Sequence, residues 1–474
     1  MKNIFAFAVV VGIFFFVFSS ENIQAQESAT IKGTLPGAEG KTIYLMMTSN
    51  YLIENETVAQ KTVVKNDGAF SFEVAINAIT PITLSVNFYT ITFYIAPGEQ
   101  YVLTGKPIVF DNNINPFVVR PPLPLTLSEL DPLNRFLMQF EQKKQRFEME
   151  KHRHILDSQN LSEFDALWMP VDALPEKYQK FCSDYQTYSI GALKAVYSKK
   201  RSLKLGVSYL DKEKTDISNY CYMLFFNAFF DEYLPYHSSE ITFATLQQSI
   251  NTDASLGSIS DILKKEPIFF DEELRTLFLI KLLEQYPFRA NSVTKLLNEI
   301  VASKLSEQVI KAAKDVLRQT NTLLPRTTAP AFALPTASGK TVKSETLKGK
   351  FLYVNFFKTN CYDCLAEMEL MRELYAKNSR FFEFVSICID NDERTFKAFS
   401  KNYEYPWTVL YAGYEQDFIL QWQAKIIPYY ILIDKEYKII SCPALAPTED
   451  VHHIMEKTSW EEQRKEWRQQ GNEN

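Results

Sequence analysis

The stretch "FFKTNCYDCLAEMEL", from Phe356 to Leu370, sets Cys361 and Cys364 two residues apart where a continuous apolar run gives way to an amphipathic segment. No other feature constrains the chain as much. "KFLYVNFF" has no polar alternation, so it reads as a strand buried on both faces, of the kind found in parallel sheets. "CLAEMELMRELYAKN" then reads as the helix that follows it. A thiol at the first turn of that helix meets unsatisfied N–H groups and the positive end of the macrodipole, both of which favour thiolate. Cys361 is placed for this, and Cys364, one turn deeper, can reach back to its sulfur. Attack by Cys361 on a disulfide would give a mixed disulfide that Cys364 resolves.

Two other readings of the pair are weaker. Tetrahedral zinc wants four ligands, yet neither Cys388 nor Cys442 has a C-x-x-C spacing and no histidine pair at H-x3-5-H spacing follows. In "KHRH", His152 and His154 stand two apart and point to different sides of a helix. No metal site is expected. Coincidence fails on position, because a C-x-x-C at a strand–helix junction in a βαβ pattern is a redox signature.

The rest of the chain falls into blocks. Residues 1–25 carry Lys2, an apolar run from Ile4 to Phe18 and a small residue before Gln26, the layout of a cleaved signal peptide. The run is shorter than the ~20 residues of a bilayer span, so no retained transmembrane segment is expected. Residues 26–110 alternate short β-rich runs with turn signals, and Asp67-Gly68 between two such runs predicts a hairpin. A small antiparallel β-sandwich is the expectation. Residues 120–325 carry apolar residues at helical spacing and predict an α-helical domain. "LLPRTTAPAFALPTASGK" marks a boundary near Arg326, and residues 326–460 read strand–helix–strand–helix–strand–strand, an α/β order whose last two strands form a hairpin on Lys435-Glu436. Residues 461–474 read as a charged, solvated helical tail that frays.

Six cysteines in 474 residues are too few for a disulfide-stapled scaffold. Cys182, Cys221 and Cys388 lie in apolar surroundings and read as small buried hydrophobes. The net charge of −6 comes from mixed signs, with no basic face carrying interleaved aromatics, so nucleic acid is not expected as a partner.

"APAFAL", "GKTVKSETLKGKFLYVNFFKTNCYDC" and "KIIPYYILID" resemble the thioredoxin-like domain of the TlpA/ResA class of envelope thiol-disulfide oxidoreductases, within the AhpC/TSA-redoxin superfamily. The likeness runs from about Arg326 to Lys457. It implies a thioredoxin-like fold, a periplasmic or cell-envelope location and catalysis by Cys361 and Cys364 without a cofactor. It also implies that Pro428 is a cis-proline facing the cysteines, with Ile427 offering backbone groups to an incoming chain. Glu367 matches the acidic residue that the class keeps near the couple, placed to accept the proton of Cys364. Asn355 stands where the class commonly has a buried Asn. Asn360 replaces the usual Trp before the first cysteine, Tyr362-Asp363 replaces Gly-Pro or Glu-Pro, and Tyr429 replaces Thr after the proline. Asn360 and Tyr362 thereby join Ile427 and Pro428 as the expected substrate surface. The β-rich N-terminal region resembles the small β-domain found ahead of such redox domains in envelope proteins of Gram-negative bacteria, where partners would be disulfide-bearing envelope proteins and a membrane electron donor of unknown identity.

The expected function is protein-disulfide reduction. Two alternatives stay open: an envelope binding or stress module with a vestigial couple, and a thiol peroxidase of the alkyl hydroperoxide reductase type. The peroxidase would use Thr359 before Cys361, but Phe356 and Phe357 stand where it wants Pro.

Overall fold

The computed structural model describes residues 27–111, 120–127, 131–210, 217–321, 323–390, 392–413, 415–424 and 426–472; the expected signal peptide lies outside them. Alternation in "AFSFEVAI" puts Phe70, Phe72, Val74 and Ile76 on the buried face of a strand and Ser71, Glu73 and Ala75 on the exposed one. The same logic builds β1 (Glu27–Thr34), β2 (Thr42–Asn50), β3 (Asn55–Val63), β4 (Ala69–Ile76), β5 (Thr80–Val86), β6 (Tyr89–Ile95), β7 (Gln100–Gly105) and β8 (Leu125–Leu127). They form two four-stranded sheets, β4-β1-β7-β8 and β3-β2-β5-β6, whose inward residues share one core of Ile31, Leu45, Val74, Leu84, Phe93 and Tyr101. β8 extends this part past residue 110, because Leu123 and Leu125 are buried in that same core.

The hairpin expected at Asp67-Gly68 is not there, although the turn is. Gly68 takes φ +77°, a left-handed backbone that suits glycine, and the Ala69 N–H donates to Asp67 Oδ1 at 3.0 Å. The flanking strands belong to different sheets: β3 pairs with β2 and β4 with β1. Val64 N–H is held by the Lys41 carbonyl on one side and the Gly68 carbonyl by Leu35 N–H on the other. The turn therefore carries the chain from sheet to sheet.

The middle of the chain is helical: α1 (Pro132–Ser158), α2 (Glu176–Tyr197), α3 (Leu203–Tyr209), α4 (Tyr220–Phe230), α5 (Tyr233–Tyr236), α6 (Phe243–Thr252), α7 (Leu256–Leu263), α8 (Glu272–Gln285), α9 (Ala290–Val301) and α10 (Glu307–Asn321). α4 is apolar all round, which demands burial on every side, and Phe225, Phe226, Phe229 and Phe230 are all buried. Leu52, at the β2–β3 turn, enters the same core, and Asn50 Nδ2 donates to Asp315 Oδ2 at 3.2 Å. His152 and His154 turn apart as expected, the first to the Tyr197 hydroxyl and the second to Glu163.

One helical-domain histidine titrates with the fold. His237 Nδ1 accepts the Arg201 backbone N–H at 3.3 Å. Burial, and then the Arg201 charge, pull its pKa from 6.5 down to about 4. Between those values the unfolded chain binds more protons than the folded one, so stability rises with pH there and is lost as pH falls from 6.5 towards 4. The ring is partly exposed, so screening leaves an effect of about 1 kcal/mol. Replacing His237 with Asn keeps an acceptor and removes the proton. Urea denaturation of the full chain at pH 6.5 and 4 should show a smaller acid loss in His237→Asn than in wild type, and equal losses would refute the assignment.

After a short antiparallel pair, β9 (Ala333–Pro335) and β10 (Thr341–Lys343), come β11 (Phe351–Phe357), α11 (Tyr362–Asn378), β12 (Phe382–Cys388), α12 (Glu393–Tyr403), β13 (Thr408–Tyr411), α13 (Gln416–Gln421), β14 (Tyr429–Ile433), β15 (Ile439–Ser441) and α14 (Val451–Asn472). The sheet order is β13-β12-β11-β14-β15, with β12 parallel to both β11 and β13 and β14 antiparallel to β11. β13 and α13 add a strand and a helix to the expected order. The tail is not simply solvated: Lys435 binds Glu462, and Arg380 pairs with Glu466 at 2.8 Å.

The β-rich part is seated on α13. Tyr44 donates its hydroxyl to Glu415 Oε2 at 2.7 Å, and Lys61 meets Asp417 at 2.6 Å. Phe88, at the β5–β6 turn, packs in the same core as Phe332, Ile419 and Trp422.

Candidate redox-active site

β11 ends at Phe357, and residues 358–360 turn the chain into α11. Cys361 is the N-cap, closed by its backbone N–H to the Lys358 carbonyl at 3.1 Å. Its sulfur accepts the Cys364 N–H at 3.1 Å, so a helix-end donor points at the atom that would carry thiolate charge. Cys361 and Cys364 are joined in a disulfide, with Cα atoms 5.2 Å apart. The two sulfurs differ in access: Cys361 is half-buried and Cys364 is buried. This asymmetry suits an outer thiol that meets the substrate and an inner one that meets only the first. Neither Cys388 nor Cys442 is disulfide-bonded, and both have thiols pushed up by burial.

The Ile427–Pro428 bond is cis, and Ile427 packs against the same core cluster as Cys361 and Cys364. The loop before β14 and the start of α11 therefore border one core. Ile426 is 64% exposed and Tyr362 is 84% exposed, while Asn360 is exposed beside them. Such an apolar rim, open to solvent, fits a polypeptide better than a small molecule. Cavities of about 400 and 490 Å³ do occur, but they are lined by residues of the β-rich and helical parts, such as Tyr94 with Tyr185 and Tyr51 with Tyr220.

Glu367 is half-buried one turn beyond Cys364. Its carboxylate accepts the Thr448 backbone N–H at 3.2 Å and the Thr448 hydroxyl at 2.5 Å, which ties α11 to the segment leading into α14. Its charge also reaches Tyr353 and Tyr430, whose hydroxyl ionisation is pushed up mainly by burial. Asn355 is fully buried on β11 opposite Ser386 of β12. Trp407 Nε1 donates to Ser386 Oγ at 2.8 Å, and the Ser386 hydroxyl donates to Asn355 Oδ1 at 2.6 Å. Asn355 Nδ2 is left without a partner. A buried donor in that state costs about 1–3 kcal/mol.

Sequence reasoning missed a buried charged set next to this turn. Lys358 is 3% and Asp390 5% exposed. Asp390 Oδ2 accepts the Thr359 N–H at 3.0 Å, the Thr359 hydroxyl, and the Cys388 thiol at 3.5 Å. The available signals were a lysine closing an otherwise apolar strand and an aspartate closing "FVSICID".

The Redoxin family matches residues 325–452. Thiol-disulfide oxidoreductase ResA of Bacillus cereus is 32% identical over 113 residues, which cover 24% of this chain and 65% of that protein. ResA of Bacillus subtilis is 26% identical over 126 residues, covering 26% of this chain and 70% of its own. Among solved structures, a thiol-disulfide oxidoreductase from Bacteroides fragilis is 24% identical, covering 25% of this chain and 92% of the other at a TM-score of 0.23. The chain spans 65% of the length of the Bacillus cereus relative. Residues 325–452 thus match the Redoxin family, and the chain is similar to the ResA proteins over a stretch of about that length.

Proposed function

We propose that the chain is an exported thiol-disulfide oxidoreductase that reduces protein disulfides in the periplasm or cell envelope. The observation that carries this reading is the Cys361–Cys364 pair, with its outer sulfur half-buried at a helix N-cap and its inner one buried. The ResA relatives, thiol-disulfide oxidoreductases by name, support the reaction class. The leader-like residues 1–25 support the location.

In the proposed cycle, the Cys361 thiolate attacks one sulfur of a substrate disulfide. A Cys361–substrate S–S bond forms as the substrate's own bond breaks, and the departing substrate sulfur takes up a proton. Cys364 gives its proton to Glu367 and attacks the Cys361 sulfur. The intramolecular disulfide forms, and the second substrate thiol leaves with a proton. The substrate has then gained two electrons from the cysteine pair, one proton from Cys364 by way of Glu367, and one proton from solvent. A thiol donor, in the cell a membrane-borne electron source, must reduce the pair again. Ile427, Pro428, Asn360 and Tyr362 form the surface that receives the substrate chain, and Asn355 supports the strand beneath. The β-rich and helical domains serve docking of substrate or partner.

The test is turnover of a model protein disulfide by the full chain with dithiothreitol as donor. Wild type should turn over, and its inactivity would end the reading. In the same assay Glu367→Gln should slow resolution on the order of tenfold or more, with mixed disulfide accumulating. An unchanged resolution rate would leave Glu367 only its tie to Thr448.

A further inference from the structure

A buried ammonium is expensive unless it is paired, and a strand end of this kind would hold an apolar side chain at lower cost. Yet Lys358 sits at the end of β11 with 3% of its surface exposed. Three acidic groups act on it, in descending order Asp390, Cys388 and Asp111. Asp390 and Cys388 come from the end of β12. Asp111 comes from the β-rich domain, where its N–H donates to the Tyr89 hydroxyl at 3.1 Å. Asp111 is exposed, so it stands at the outer edge of a set whose inner members are dry.

The set is joined to the nucleophile through the backbone. The Lys358 carbonyl accepts the Cys361 N–H, and Asp390 holds Thr359 by both its N–H and its hydroxyl. Lys358, Thr359 and Cys361 thus belong to one turn pinned at Asp390. Other ionisable groups surround it. Tyr411 of β13 faces Cys388, Asp390, Asp392 and Glu393, Lys41 of the β-rich domain faces Asp392, and Asp363 lies in the first turn of α11.

We propose that Lys358 and Asp390 are a buried charge pair that tunes the thiolate of Cys361, and that Asp111 brings a third charge to this set from the β-rich domain. All three are positioning residues, and the proposal rests on the redox reading above. The signs are opposed. The Lys358 cation favours thiolate at Cys361, whereas the two carboxylates disfavour it. Burial weakens solvent screening within the pair, and exposure leaves Asp111 subject to salt. Burial lowers the Lys358 pKa, and the anions, Asp390 first, act against it to hold the charge on.

The test follows the pH dependence of Cys361 alkylation in the reduced full chain, with the modified peptide identified by mass so that Cys442, the other cysteine short of full burial, is read separately. Lys358→Met should raise the apparent pKa of Cys361 by about 0.5–1 unit, which lowers alkylation below that pKa roughly three- to tenfold. Asp390→Asn should move it the other way by a similar amount, and the double variant should lie close to wild type. Asp111→Asn, on an exposed residue that the fold does not need buried, should lower it by less, and the difference should vanish at about 1 M salt. A purely structural role would move Lys358→Met and Asp390→Asn in the same direction, or leave the pH profile in place, and either result overturns the proposal. An Asp111→Asn profile equal to wild type at low salt removes the β-rich domain from the set. Alkylation needs no substrate, so the Cys361 profile and disulfide turnover are read separately, and failure of one is distinguishable from failure of the other.

Discussion

A Cys361→Ser chain is expected to reduce no disulfide above the uncatalysed rate. The argument is chemical before it is structural, because thiolate is the attacking species in exchange and a serine hydroxyl supplies none at neutral pH. The geometry adds that the buried thiols cannot stand in, and that half-buried Cys442 has its thiol pushed up by burial and no cysteine at C-x-x-C spacing. Cys364, the partner sulfur, is 1% exposed, and Cys388 and Cys182 are sealed within cores. The complementary variant, Cys364→Ser, should attack once and then stall as a mixed disulfide, since the outer sulfur remains and the resolving one is gone. Serine differs from cysteine by one atom at either position, and Cys361 lies half in solvent at the helix start, so circular dichroism should be near wild type. Turnover by Cys361→Ser close to the wild-type rate would sink the proposed cycle outright.

The second large effect is expected far from the couple in sequence. Phe88 belongs to the β-rich domain, yet its ring is 4% exposed in the core that holds Trp422, Ile419 and Phe332. Phe88→Ala should cost about 3–5 kcal/mol, the usual range for emptying an aromatic site. The loss should fall on residues 325–452 as well as on the sheet that carries the ring. Urea denaturation followed by the tryptophan fluorescence of Trp422 and Trp407 reads this directly. A midpoint unchanged from wild type would mean that the redox domain keeps its core without the aromatic plug. The seam also bears on the view of the β-rich part as a docking module alone, because Tyr44, Lys61 and Phe88 all engage the α13 region.

What could be read from the sequence was what short-range pattern controls. "KFLYVNFF" and "FFEFVSICID" are unbroken apolar runs, and they became β11 and β12, paired in parallel. The C-x-x-C spacing announced a helix start, and Cys361 is its N-cap. What escaped was decided by register and by partners distant in the chain. "WTVLY" is a short run that became β13 only because β12 offered it an edge. Asp67-Gly68 turns as its residues demand, but pattern could not show that the strands on either side belong to different sheets. Lys358 and Asp390 come within electrostatic reach because Phe357 stands opposite Cys388 in the β11–β12 register, a pairing over thirty residues that no local rule reports. Glu367 was legible as an acid beside the couple, whereas its bonds to Thr448 depend on how the end of the chain folds back.

The burial of the spare thiols bears on how such a chain must be made. Six cysteines allow fifteen complete pairings, and an unfolded chain that meets an oxidant can sample them. Cys182 and Cys221 sit within one core, on α2 and α4, and Cys388 is sealed under α12 in another. Once these helices have packed, oxidant reaches the outer sulfur at Cys361 and half-buried Cys442, and little else. Fidelity of disulfide formation is therefore a race, in which collapse of the aromatic helical core has to precede oxidation, and the chain is most exposed to miswiring in the interval before α2 and α4 close on each other.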